Sequence, residues 1–149
     1  MNTTHVGVSE GRFLAFRLAP GEELLSSLRR IVRTHHIRAG YVAGVVGSLS
    51  WAHLRFAGRP DGTLLDGCFE VVSLVGTLDA KGEHLHMTIS NPEGATTGGH
   101  VLEGCVVRTT MELVLGELPG LEFRREYCER STYEELAVLP RKSDKGEYE

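Results

Sequence analysis

The side chains best placed to do chemistry in this sequence crowd into one stretch. GEHLHMTISNPEGATTGGH, Gly82 to His100, holds three of the chain's seven histidines, with His84 and His86 one residue apart. Three imidazoles can hold a zinc ion at nitrogen distances of about 2.0–2.1 Å and leave a fourth position for water, a substrate or a group from another subunit. Side chains alternate along a strand, so His84 and His86 share a face with Thr88 and Ser90, while Leu85, Met87 and Ile89 take the other, core-facing side. A hairpin returning after the glycine-rich loop sets His100 beside the pair. The same alternation also describes a half-buried sheet with an ordinary wet face, so spacing alone leaves both readings open.

Other groups offer less. If the run from His100 to Leu115 is one unbroken strand, Glu112 shares the parity of His100 and is the candidate catalytic acid/base, reaching the site only through curvature or a neighbouring chain. Glu83 points to the opposite face from His84. His35 and His36 fit the end of a helix, where a cation suits the dipole, and His53 reads as a half-buried strand residue. NPEGATTGGH matches neither phosphate-binding glycine pattern, G-x-x-x-x-G-K-[ST] or G-x-G-x-x-G, and no helix follows it to receive a phosphate.

The elements that must position these residues are one helix and several strands. RFLAFRL, residues 12–18, reads as a first strand stopped by Pro20-Gly21. Leu24, Leu25, Leu28, Ile31 and Val32 then form the buried stripe of a helix, with Glu22 and Glu23 in its first turn and an end before Gly40. Its outer face, with Arg29, Arg30 and Arg33, and Arg38 beyond it, reads as a solvated surface. From Tyr41 onward the runs are extended and β-branched: YVAGVVGSLSWAHLRF, CFEVVSLVGTL, HLHMTIS, HVLEGCVVRTTMELVL and LEFRREY. Glycines within them, at 44, 47, 76 and 104, predict bulges or close backbone approaches. The fold class is therefore α/β of the α+β kind, one main helix on a curled, mainly antiparallel sheet.

Composition sets the outer bounds. With 149 residues and 41% hydrophobic content, the chain predicts a single domain over 12–139, preceded by an extension over 1–11 and followed by a disordered polar tail over 140–149. A net charge of −4 disfavours a whole-surface attraction to nucleic acid. No apolar run approaches the roughly 20 residues that cross a bilayer, and the start lacks a basic stretch leading into an apolar one, so the expectation is a soluble, cytoplasmic chain without a membrane partner. The cysteines, Cys68, Cys105 and Cys128, show no C-x-x-C pairing and read as reduced, half-buried strand residues.

PGEELLSSLRRIV, AGYVAGVVGSLSWAHLRF, GCFEVVSLVGTL and GEHLHMTISNPEGATTGGHVLEGCVVRTTMEL, in that order, resemble the PPC (plant and prokaryote conserved) domain family from about Arg12 to Leu139. The most specific parts are H-L-H with the later G-G-H, and Gly67, Phe69 and Glu70. The resemblance implies a homotrimer. It also implies a metal ion, zinc or another divalent transition metal such as iron, on His84, His86 and His100, as in stand-alone prokaryotic-type members. Plant members carry the domain behind DNA-binding AT-hooks, whose core is Arg-Gly-Arg-Pro in a basic context. Here the nearest string is Ala57-Gly58-Arg59-Pro60, followed by Asp61, which lacks the first arginine and is not a hook. A metal-binding module with a small-molecule or protein partner is the first expectation, a metal-dependent enzyme the second, and a DNA-associated regulator the third.

Overall fold

The computed structural model describes residues 4–142, so the polar tail lies, from residue 143 onward, outside the described residues. Strand β1 (Arg12–Leu18) leads into helix α1 (Leu24–Thr34), which buries Leu24, Leu25, Leu28 and Val32 on one face. Glu22 and Glu23 stand before the helix and not in its first turn. The Glu23 carboxylate is the N-cap and accepts from the Ser26 N–H at 2.7 Å, so it satisfies a donor the helix itself leaves free. His35 is the C-cap, its N–H donating to the Ile31 carbonyl at 3.0 Å, and the helix ends before Gly40 as its sequence predicts.

Strands β2 (Gly40–Arg55), β3 (Thr63–Leu78), β4 (Glu83–Ser90), β5 (Thr96–Val101) and β6 (Val106–Glu117) join β1 in a six-stranded antiparallel sheet of order β1-β6-β2-β3-β4-β5. The sheet curls until β5 meets the far end of β2, where Leu54 pairs with Val101 and Arg55 with His100. Register shifts beside Gly44 and Gly47 in β2 supply the bulges that let it bend. β7 (Leu121–Cys128) and β8 (Tyr133–Pro140) form a separate hairpin. β8 carries Glu134 and Glu135 at its start, which hid it among polar residues in the sequence.

The run expected as one strand from His100 to Leu115 is two. Gly104, with φ of +118°, breaks it, and the link takes its hydrogen bonds from elsewhere: Gly104 N–H donates to Glu23 Oε1 at 3.1 Å, and the Cys105 carbonyl accepts from Leu24 N–H at 2.9 Å. The start of the helix is thereby fastened to the link between β5 and β6. Cys105 lies buried in that link, Cys68 is exposed on β3 and Cys128 half-buried on β7, so only the last fits the expected half-buried strand position.

The core lies between α1 and the inner face of the sheet, with Leu49, Leu54, Leu85, Met87, Ile89 and Met111 fully buried. The outer face keeps Val46, Val72 and Val75 at 58%, 56% and 57% exposure, apolar side chains the single chain leaves in water. Among the described residues no helix is long and apolar enough to cross a membrane.

Candidate metal centre

β4 is held down by Leu85, Met87 and Ile89, at 0–1% exposure, and this alone forces His84 and His86 out on the opposite face. β5 returns after the short Asn91–Ala95 turn and places His100 directly opposite His86. The ring centroids lie 5.1 Å (His84 to His86), 5.2 Å (His84 to His100) and 5.7 Å (His86 to His100) apart. One ligand atom from each histidine lies within 4.8 Å of the others. Nitrogens around a tetrahedral zinc stand about 3.3 Å apart, the spacing that bond lengths of about 2.0–2.1 Å dictate. Small side-chain rotations cover that difference, so the donor set fits a divalent transition metal.

Glycine makes the approach possible. Gly76 of β3 has φ of +139°, and a Cβ there would overlap the His84 carbonyl oxygen. A Cβ on Gly99 would stand 2.6 Å from the Arg55 carbonyl oxygen, so only glycine lets β5 close onto β2 with His100 in place. The G-G before His100 is thus a packing requirement of the site: a Cβ on Gly98 would likewise stand 2.7 Å from the Met87 carbonyl oxygen.

The electrostatics favour the neutral form of His84 and His100. His84 is largely exposed, but partial desolvation against the sheet lowers its pKa, and His86 and Arg125 add to the effect against a smaller opposing pull from Glu135. Burial likewise lowers that of His100, followed by Arg55 and the two other histidines. A neutral ring keeps a lone pair for a metal.

The helix braces both histidine strands. Arg29 Nη2 lies 2.6 Å from Glu83 Oε1, immediately before His84, and Nη1 lies 3.2 Å from Glu103 Oε2, shortly after His100. These contacts raise the Arg29 pKa still further above its ordinary value. Glu83 therefore faces away from the histidine pair and serves the helix. Arg30 pairs with Glu22 and Arg38 with Glu122, so much of the arginine face is already neutralised. His53 is half-buried as expected, with Nδ1 2.7 Å from the Glu103 carbonyl oxygen.

Above the histidines lies a cavity of about 1060 Å³. Its walls include Arg55, Arg59, Lys81 and, from the β7–β8 hairpin, Arg125, Glu134 and Glu135. Arg125 is fixed by Asp79 at 3.2 Å and by Thr77 Oγ1 at 3.0 Å. These hairpin residues carry no signal in the sequence, since nothing in local spacing links residue 125 to residue 79. Glu112 does not line the cavity. It sits exposed on β6, opposite Arg17 and Val46, and the break at Gly104 removes the parity argument that tied it to His100.

The model of the Plants and Prokaryotes Conserved (PCC) domain, the family the motifs resemble, matches residues 6–119. A hypothetical protein from Salmonella cholerae-suis has a solved structure that is 50% identical, with a TM-score of 0.90 over 92% of this chain and 99% of that one. A metal-containing protein from Archaeoglobus fulgidus shares the fold at 21% identity and a TM-score of 0.74, over 92% of this chain and 99% of that one. So does a Bacteroides thetaiotaomicron protein provisionally called DNA-binding, at 17% and 0.74, over 88% and 98%. Among curated sequences, the bifunctional protein GlmU of a Synechococcus strain is 40% identical over 124 residues, 83% of this chain but 20% of that protein. The chain thus spans about a fifth of the length of the curated relatives it matches.

Proposed function

Because the chain belongs to the Plants and Prokaryotes Conserved domain family, we propose that it is a homotrimeric metal-binding module that holds zinc, or iron in its place, on His84, His86 and His100. The observation that carries the reading is the convergence of three imidazoles from two adjacent strands onto one point. The fold shared with the metal-containing Archaeoglobus protein supports it. An ion there would supply a Lewis-acid centre, and the chain's own part is to orient neutral rings around it. Self-association is supported by the exposed valines of the outer face, since apolar patches left in water mark interaction surfaces. Recurrence of the domain as a fraction of a larger bifunctional protein also suits a module.

The deciding experiment is elemental mass spectrometry on protein prepared without chelator, beside the His84→Ala/His86→Ala variant, with light scattering on both. One equivalent of metal per chain in the parent and none in the variant is expected; a metal-free parent that also refuses reconstitution overturns the reading.

A second reading, a metal-dependent enzyme, is favoured by the cavity beside the histidines and by the carboxylates of Glu134 and Glu135 in its wall, which could move a proton there. Glu112 would need a second copy of the chain to reach that place. Hydrolysis of ester and phosphoester substrates by the metal-loaded chain, lost in Glu134→Gln/Glu135→Gln with metal retained, tests it. DNA association is the weakest reading, because Arg29, Arg30 and Arg38 are engaged by carboxylates.

A further inference from the structure

The row that holds the histidines continues past them. Register places Val75 opposite His86, His86 opposite His100, and His100 opposite Arg55, so four strands contribute one line of side chains on the outer face. Directly opposed residues have Cβ atoms about 4.5–5.5 Å apart, well within reach of an arginine side chain. The charges around this line divide into spent and available ones. Asp79 is taken by Arg125 and Glu83 by Arg29, both carboxylates nearly buried. Arg55, Arg59 and Lys81 have no carboxylate within ion-pair distance among the described residues, yet all three line the cavity.

Charge balance then narrows the ligand. Three neutral imidazoles bring no charge to offset a divalent ion, and in the lining the cations without a carboxylate partner, Arg55, Arg59 and Lys81, outnumber Glu134 and Glu135, so the loaded site is positive with Arg55 beside it. We propose that the cavity binds a small molecule through an anionic oxygen group, a carboxylate or a phosphate, which is gripped by Arg55 and takes up the open side of an ion held by His84, His86 and His100. The planar guanidinium can give two parallel N–H donors to two oxygens of such a group, which a lysine cannot. Glu134 and Glu135, from β8, add negative charge to the same lining, which disfavours an extended polyanion more than a ligand with one anionic group, so the ligand proposed is a small molecule and not a nucleic-acid backbone. This inference rests on the metal reading above.

The test uses the full chain loaded with cobalt(II), whose visible absorption responds to a change of ligand. Inorganic phosphate and acetate are titrated separately, and the tighter of the two arms identifies the group. Saturable spectral change is expected for the parent. Arg55→Gln should keep its cobalt and bind the same anion at least about tenfold more weakly, as loss of a charge-assisted pair implies, with Arg55→Lys between the two. Arg55 is exposed, so these variants should fold, and circular dichroism checks that they do. A cobalt spectrum indifferent to both anions, or equal affinity in Arg55→Gln, overturns the anion clamp and leaves the metal reading standing. Failure to take up cobalt at all overturns both.

Discussion

Arg29 of the helix holds Glu83 at 2.6 Å, and Glu83 is the residue next to His84. A helix that carries none of the three histidines thus braces the start of the strand bearing His84 and His86, and a second, more exposed contact reaches Glu103 just past the strand bearing His100. Arg29→Met should leave Glu83 nearly buried and unpaired. The expected cost is about 1–3 kcal/mol, toward the lower end because Arg29 is itself partly exposed. Urea denaturation measures this, and zinc affinity should fall alongside. Unchanged stability and affinity would show that the brace is ornamental.

Gly76→Ala should be more damaging than its one added methyl suggests. The backbone there is at φ of +139°, and the new Cβ would overlap the carbonyl oxygen of His84. Strain of this kind costs on the order of 1–3 kcal/mol before the clash is counted. A lower denaturation midpoint together with weakened metal binding is expected; Gly82→Ala, in open space, is the matched control.

The cap at Glu23 gives a pH signature. Burial raises its pKa, but the N–H groups of Ser26, Gly104 and Leu25 outweigh that and hold it below its ordinary 4.5. A lowered folded-state pKa means that the stabilisation is present above about pH 4.5 and is lost as pH falls through the folded value. Glu23→Gln should cost about 1 kcal/mol at neutral pH, in the range of a lost cap, and should flatten the acid limb of the stability curve. An acid limb identical in the two proteins would assign the pH dependence to other carboxylates.

Much of this was legible in the sequence because it follows from period. The helix stripe at Leu24, Leu25, Leu28 and Val32 and the inward Leu85, Met87 and Ile89 are consequences of 3.6- and 2-residue repeats, and the second of these fixes the face of His84 and His86. What period cannot show is contact at long sequence separation. The pairing of Arg125 with Asp79 and the arrival of Glu134 and Glu135 at the cavity depend on where a hairpin packs. The break at Gly104 was hidden for a related reason: the hydrogen bonds that replace the strand ladder are made with Glu23 and Leu24, some eighty residues earlier.

Metal removal should be read in stability as well as in content. A ligand at 100 times its Kd stabilises the folded chain by about 2.7 kcal/mol, which raises Tm by roughly 5–10 °C in a domain of this size. Zinc should therefore raise Tm and a chelator lower it. His84→Ala/His86→Ala should match the metal-free parent and ignore zinc, since both rings are exposed and the core beneath them is unchanged. A zinc-dependent rise that persists in the variant would place the ion elsewhere.

The apolar outer face makes the last prediction. Val46 and Val72 are each more than half exposed, although Val72 sits on a strand whose inward neighbours Val71 and Leu74 are buried. If copies of the chain meet on this face, Val46→Lys/Val72→Lys should convert a species of three chains into single chains by light scattering, with the fold of each chain retained. Surface changes of this type usually alter folding stability by no more than about 0.5 kcal/mol, so loss of assembly should not be mistaken for unfolding. An unchanged mass would exclude this face as the interface. Metal content in the dissociated variant then separates two arrangements: retention of a full equivalent means that His84, His86 and His100 of one chain suffice, whereas loss means that a neighbouring chain completes the site next to Val75 and His86, which are paired in register.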